Sequence, residues 1–333
     1  MKASDFRNIL SEKSALVDKE IVKIMPRDCG VPNLQDAAWY ALSAGGKRLR
    51  PTMCLLVAEA LNGDMKQALR FGVAIELLHN FLLVHDDIED GDLVRRNSPA
   101  VWVKYGLPHG INIGDFLLAQ VYRSISSLRQ LDVKDSKIVD LLDEVTNCLI
   151  ETGEGQAIEI NARLRTDLTE DEYLQIVRKK TAAYLTIPMI GAAIIAGAPD
   201  NILSAIRRYG HFVGPAFQII DDAIDLTEGK GRGEKGCDIK EGKPSFMVVH
   251  VANKCTETEK TKLFEILKKP REMKTASDIS WVTDLFEKYD AISIAQKKAA
   301  DLVGQGKEAI SSLPIHLRNV LNGLADFAVE RSI

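Results

Sequence analysis

Apolar residues recur along this chain at helical spacing. The stretches FGVAIELLHNFLLVHDDIED (71–90), VDLLDEVTNCLIETGEGQAIEI (139–160) and YLQIVRKKTAAYLTIPMIGAAIIAG (173–197) run too long for strands and are rich in Ala and Leu. No set of alternating strands with hairpin turns stands out. Short polar breaks punctuate the helical runs: PRDCGVP (26–32), SAGGKRLRP (43–51), GDLVRRNSP (91–99) and EGKGRGEKG (228–236). The last is the richest in Gly and charge, which makes it the best candidate for a mobile loop. None reads as an interdomain linker. The pattern predicts one all-α domain over residues 1–333, built from roughly a dozen helices of ordinary length.

Two apolar runs end in acid. FLLVHDDIED delivers Asp86, Asp87 and Asp90, and FQIIDDAID delivers Asp221, Asp222 and Asp225. Carboxylates held this close repel one another, and burial makes the repulsion costlier. Each cluster therefore lies in water or under something strongly positive. Helical residues four apart share a face, with Cβ atoms about 6 Å apart. Asp86 and Asp90 point the same way, and Asp221 and Asp225 repeat the arrangement. Asp87 and Asp222 lie about 100° round the helix, as second ligands or as groups that orient the first. Oxygen-only ligation suits magnesium. The plainer reading is a solvated helix end, but such an end does not need FLLV or FQII leading straight into it.

Basic residues gather around the same theme. SAGGKRLRP places Lys47, Arg48 and Arg50 after a Gly pair, either a phosphate cradle or an ordinary solvated turn. Adjacent arginines diverge, so Arg95 and Arg96 can serve two different anions, or neutralise the neighbouring acids. Lys180 and Thr181 interrupt an apolar helix, a costly placement unless they are used. Lys235, Asp238, Lys240 and Lys243 follow the second cluster. His79 lies two turns before Asp86 on nearly the same face, as a ligand group or as a hydrogen-bonded histidine of the core or surface. The sum is a pocket for a diphosphate head and a hydrocarbon tail, with magnesium between two acidic helix ends.

Bulk composition narrows the classes. Hydrophobic content of 46% and charged content of 27% are ordinary for a soluble globular protein. A net charge of −4 argues against nucleic acid as the main partner. The five cysteines are widely spread with no CxxC pair, which disfavours a disulfide framework or structural zinc and favours a reducing cytoplasm. The N-terminus reads as an amphipathic helix rather than a signal peptide. No run of about 18 apolar residues predicts a membrane span. The most apolar stretch, YLTIPMIGAAIIAGA, reads as a buried core helix.

The motifs ELLHNFLLVHDDIEDGDLVRRNSPAVW, AGGKRLRP, KKTAAYL and GPAFQIIDDAIDL…GCDIKEGKPS resemble the trans-isoprenyl diphosphate synthases, the polyprenyl synthetase family. The resemblance implies the isoprenoid synthase fold, an all-helical bundle around a central cavity. It implies a homodimer that uses a cluster of magnesium ions. The implied reaction adds isopentenyl diphosphate head-to-tail to an allylic diphosphate. The allylic diphosphate ionises, the alkene attacks, and a proton is lost to the released pyrophosphate. By motif, Lys47, Arg50, His79 and Arg96 would hold isopentenyl diphosphate. Asp86 and Asp90 with Asp221 would ligate magnesium, supported by Asp87, Asp222 and Asp225. Arg95, Lys180, Thr181, Gln218, Lys235 and Lys243 would face the allylic substrate, and Lys180 (through its carbonyl), Thr181 and Gln218 would also steady the cation. The chain departs from the family at Asn97 and Ala100, where Gly and Thr are common, and at Pro244 and Ser245, where a basic residue and Thr are more usual.

Product length should follow the depth of the apolar well. Phe81 lies five residues before Asp86, about 7.5 Å down a helix axis, and Leu82 lies four before it. A bulky Phe reads as a floor or, equally well, as core packing, and an ideal wheel puts Leu82 nearer the Asp86 line. The family resemblance singles out Phe81: an aromatic fifth and a non-aromatic fourth position resemble geranylgeranyl diphosphate synthases. The expected product is geranylgeranyl diphosphate from dimethylallyl, geranyl or farnesyl diphosphate. Farnesyl or longer products, a non-catalytic regulatory subunit and a terpene cyclase are the rival readings.

Overall fold

A computed structural model of the chain describes residues 3–25, 27, 30–163, 165–227 and 235–330. Those residues are helical nearly throughout, as the periodicity predicts. In order they form α1 (Ala3–Ile24), α2 (Gln35–Ser43), α3 (Leu49–Ala60), α4 (Met65–Glu89), α5 (Val101–Tyr105), α6 (Leu107–Ser126), α7 (Asp135–Ala162), α8 (Glu170–Val177), α9 (Ala183–Ala196) and α10 (Asp200–Thr227). After them come α11 (Cys237–Glu241), α12 (Phe246–Ala252), α13 (Glu257–Lys268), α14 (Ala276–Lys288), α15 (Ala291–Ala309) and α16 (Ile315–Val329). The helices outnumber the dozen expected. The extended structure among the described residues is one hairpin, β1 (Val94–Arg95) with β2 (Ser98–Pro99). Strands of two residues are too short to leave a period-2 signal. The glycine-rich break at 228–236 lies outside the described residues except for Lys235 and Gly236.

The chain's contacts group it into two units: residues 1–148, 185–207 and 310–324, and residues 149–184, 208–309 and 325–333. In the first unit α4 is the central helix. The Asp64 carboxylate accepts from the Lys66 and Gln67 amides at 2.8 and 3.1 Å and starts it. Residues Phe71 to Leu78 are buried without a break. Helices α3 and α6 pack on α4. Gly72 lets α3 come close: a Cβ there would stand 3.3 Å from the Pro51 Cβ. By length and composition α4 could cross a membrane, but 67% of its most apolar stretch is buried inside the protein, as in a core helix. Helix α9 is buried from Tyr184 to Ile195, the core helix expected there.

In the second unit, capping boxes start α8 (Thr169 with Glu172), α13 (Thr256 with Glu259) and α14 (Thr275 with Asp278). Helix α12 is buried along its whole length and packs on α8, α14 and α15. The Tyr173 and Phe246 rings meet edge-on with centroids 5.8 Å apart. Between α8 and α9 the chain widens into a π-helical turn over Arg178–Ala182. Sequence periodicity gave no hint of it.

Candidate active site

The first acidic cluster closes α4 and is answered by the hairpin that follows. Arg96 and Asn97 have φ of 53° and 60°, the positive values a two-residue I′ turn needs at both central positions. Asparagine is one of the few side chains that tolerate this region, so Asn97 can hold a turn position that would otherwise favour glycine. The turn sends the two arginines apart. Arg95 Nε donates to Asp87 at 2.6 Å, and its guanidinium stands 3.5 Å from Asp92 and 3.7 Å from Asp86. Arg96 reaches the Gly45 carbonyl instead. Gly46 makes room for it, since a Cβ there would stand 2.8 Å from the guanidinium. The predicted divergence of the pair is real.

Within the cluster the acids differ. Asp87 is buried, and burial, only partly offset by Arg95, pushes its carboxyl up to about 6. Asp86 remains partly open to solvent, and Asp90 caps α4 with its amide on the Asp86 carbonyl at 2.9 Å. Asp92, which the sequence reading passed over, is fully buried. Its amide donates to the Asp87 carbonyl at 2.8 Å, and its own carbonyl accepts from Trp102 Nε1 at 2.9 Å. A pocket opens beside Asp87, Arg95 and Arg96, with Tyr40, Asn80 and Val84 in its wall.

The basic stretch after Gly46 divides by role. Arg48 is not part of an open cradle. It is buried, pairs with Glu76 at 2.6 Å and Asp18 at 2.9 Å, and donates to the Leu42 carbonyl at 2.7 Å. It ties α1, the end of α2 and α4 together. Lys47 is exposed and Arg50 half-buried. The His79 imidazole is held well below its usual pKa, first by burial and then by Arg50, Arg96, Arg95 and Arg48. It shares a neighbourhood with Arg50 and Arg96, the two arginines predicted for the same substrate. Phe81 and Leu82 are both half-buried. The Phe81 ring meets His85 edge-on at 4.9 Å, and His85 Nε2 lies 3.2 Å from the Ile111 carbonyl of α6.

The second cluster repeats this division of labour on α10. Asp222 is buried and accepts from Gln218 Nε2 at 2.7 Å and from the Tyr173 hydroxyl at 3.1 Å. Burial and Asp222 raise the Tyr173 pKa well above its usual value, so the phenol stays a donor. Lys243 Nζ stands 3.9 Å from Asp222. Burial alone would lower the Lys243 pKa, but Asp238, Glu159, Asp222 and Glu241 together raise it well above normal. Asp225 is buried and accepts the Asp238 amide at 3.0 Å, while its carbonyl accepts the Gly236 amide at 2.9 Å. It fastens the start of α11. Asp221 is partly open to solvent, and Lys235 is exposed.

The KKT motif forms the π-turn. Lys180 Nζ donates to Glu159 Oε1 at 2.8 Å, and Thr181 Oγ1 to Gln218 Oε1 at 3.4 Å. A continuous chain of contacts therefore runs from Thr181 through Gln218 to Asp222, with Tyr173 and Lys243 on the same carboxylate. Tyr173, Glu159 and the Arg163–Glu241 pair were not picked out from sequence. A buried polar residue in an amphipathic helix looks like any solvated one until its partner is known.

The oxygen donors fit magnesium, which prefers carboxylates completed by waters and substrate phosphates. Asp86 and Asp221 are partly exposed to solvent, whereas Asp90, Asp87, Asp222 and Asp225 are buried, the last three against the contacts described above. Among the described residues no three His, Cys, Asp or Glu side chains form a preassembled metal shell.

Comparison with known proteins agrees with these motifs. The family model described as Polyprenyl synthetase matches residues 31–285. The chain is 35% identical over 328 residues to a short chain isoprenyl diphosphate synthase of Methanothermobacter thermautotrophicus, covering 97% of this chain and 98% of that one. It is 36% identical over 309 residues to a geranylgeranyl diphosphate synthase of Sulfolobus acidocaldarius, covering 90% and 92%. The crystal structure of geranylgeranyl pyrophosphate synthetase from Pyrococcus horikoshii superposes with a TM-score of 0.87 at 32% identity over 99% of both chains. With two acid-terminated helices, a diverging arginine pair and a lysine–threonine π-turn in place, the chain belongs to the polyprenyl synthetase family of trans-prenyltransferases.

Proposed function

We propose that this chain catalyses magnesium-dependent head-to-tail prenyl transfer, joining isopentenyl diphosphate to dimethylallyl, geranyl or farnesyl diphosphate. Geranylgeranyl (C20) diphosphate and pyrophosphate are the main products. The supporting observation is the shared pattern: in each cluster one carboxylate is partly exposed to solvent (Asp86, Asp221) while its neighbour is buried against polar partners (Asp87, Asp222). The reading takes residues 1–333 as one synthase domain that uses the carboxylates of both clusters.

On this reading Arg95, Lys235 and Lys243 hold the allylic diphosphate. Lys47, Arg50, His79 and Arg96 hold isopentenyl diphosphate, with neutral His79 as a hydrogen-bonding rather than a charged group. Asp86, Asp90 and Asp221 would hold magnesium, which would supply charge compensation for the departing diphosphate. The allylic C–O bond breaks and its electron pair leaves with pyrophosphate. The Lys180 carbonyl, Thr181 and Gln218 steady the cation while the isopentenyl double bond attacks it. The proton lost from the adduct passes to pyrophosphate. Phe81 is the floor of the apolar well. The Methanothermobacter relative is named only as a short-chain enzyme, so the C20 assignment rests on Phe81 with Leu82.

The reading includes a homodimer in the cytoplasm. Val139, Ile150 and Ile158 of α7 are exposed apolar side chains that a second copy would cover. The test is purified protein alone with isopentenyl and each allylic diphosphate plus magnesium, with products read by mass spectrometry. The expected result is C20 diphosphate from all three primers. Inactivity until a second protein is added would favour the regulatory-subunit reading.

A further inference from the structure

The π-turn at Arg178–Ala182 coincides with the lysine and threonine that carry the proposed chemistry. Two glycines make room for it. A Cβ on Gly155 of α7 would stand 2.6 Å from the Lys180 backbone nitrogen and 3.0 Å from its Cα. A Cβ on Gly214 of α10 would stand 2.7 Å from the Ala182 Cα and 3.0 Å from its Cβ. Backbone atoms cannot step aside as a flexible side-chain tip can, so neither position tolerates a side chain without moving the turn.

One helical turn beyond each glycine, on the same face, a side chain grips the same segment. Glu159 follows Gly155 by four and takes Lys180 Nζ at 2.8 Å. Gln218 follows Gly214 by four and takes Thr181 Oγ1 at 3.4 Å. Glu159 is buried. Burial alone would raise its pKa, but Lys180, Lys243 and Arg163 outweigh that and keep it ionised. Two helices thus present one device twice: a glycine that admits the backbone, then a polar side chain that fixes it. A widened turn loosens the amide–carbonyl ladder, which lets a carbonyl face a ligand instead.

We propose that Gly155 with Glu159, and Gly214 with Gln218, are paired clamps that set the π-turn and so aim the Lys180 carbonyl and the Thr181 hydroxyl at the allylic cation. Gly155, Gly214 and Glu159 are positioning residues; they act through Lys180 and Thr181. The inference rests on the reading of those two residues as groups that face the allylic substrate.

The test compares wild-type protein with Gly155→Ala, Gly214→Ala, Glu159→Gln and Glu159→Asp, using isopentenyl and farnesyl diphosphates with magnesium. It reads kcat, both KM values, the thermal midpoint, and the fraction of farnesyl diphosphate captured by water as farnesol. The expected result is a kcat loss of about tenfold to a hundredfold in the alanine and glutamine variants, from misplacement alone. The KM for isopentenyl diphosphate stays within about twofold, and the farnesol fraction rises. Glu159→Asp recovers part of the loss. Glu159→Gln leaves every backbone contact in place and decides the matter alone if the alanine variants do not fold. Folded variants with wild-type kcat and farnesol fraction would overturn the clamps while leaving the reaction intact. A wild-type protein that makes no prenyl product would overturn the reaction and the clamps together.

Discussion

Arg95 and Arg96 are neighbours in the chain, yet the first sits on the Asp87 carboxylate and the second on the Gly45 carbonyl. The positive φ values of Arg96 and Asn97 produce that separation. If the two guanidinium groups serve different diphosphates, their losses are separable. Arg96→Ala should raise the KM for isopentenyl diphosphate by about tenfold to a hundredfold, the value of one or two charge-assisted hydrogen bonds. Arg95→Ala should do the same for the allylic substrate. Steady-state kinetics with each substrate varied in turn checks this, and equal effects on both KM values would contradict it.

Lys47 and Arg48 also part company. Arg48 and Glu76 form a buried ion pair, and removing one partner of such a pair costs about 3–5 kcal/mol. Glu76→Ala should therefore lower the urea midpoint markedly, whereas Lys47→Ala should leave it unchanged and raise the KM for isopentenyl diphosphate. Denaturation curves and kinetics on the same two variants read both effects.

The sequence carried a good deal of this arrangement. The i, i+4 aspartates, the apolar runs leading into them and the cost of Lys180 and Thr181 in an apolar helix were legible, because each depends on spacing within one helix. Three things were not. Arg48 and Arg50 look alike in SAGGKRLRP, and only the distant Glu76 and Asp18 tell them apart. Tyr173 meets Asp222 across 49 positions, and Gly155 meets Lys180 across 25, as the residue numbers give. No local period encodes such contacts. The hairpin depends on the backbone at Arg96, a residue type with no preference for positive φ.

Lys274 gives a pH signature. Burial lowers its pKa from 10.5 to about 8, with Glu241 acting in the opposite sense, and its Nζ donates to the Lys240 carbonyl at 2.6 Å. Between about pH 8 and 10.5 the unfolded chain binds a proton that the folded chain has released. Stability from this group therefore rises with pH across that window and is absent below it. Lys274→Met should remove that increment. Urea midpoints of both proteins at pH 7, 8.5 and 10 test it, and parallel pH profiles would contradict it.

Phe81 is half-buried against His85 rather than locked in the core, so truncation should be tolerated. Phe81→Ala should shift products beyond C20, with a stability loss smaller than the roughly 3–5 kcal/mol of a fully buried Phe. An unchanged product distribution by mass spectrometry would remove Phe81 as the floor.

The proposed reaction depends on the carboxylates of both acidic clusters, the one on α4 and the one on α10. Asp86→Asn and Asp221→Asn, each measured for pyrophosphate release with isopentenyl and farnesyl diphosphates plus magnesium, test it most directly. Each variant alone should lose about a thousandfold or more in kcat, the scale of metal stabilisation of a leaving group. Near-wild-type turnover by either variant would contradict the claim.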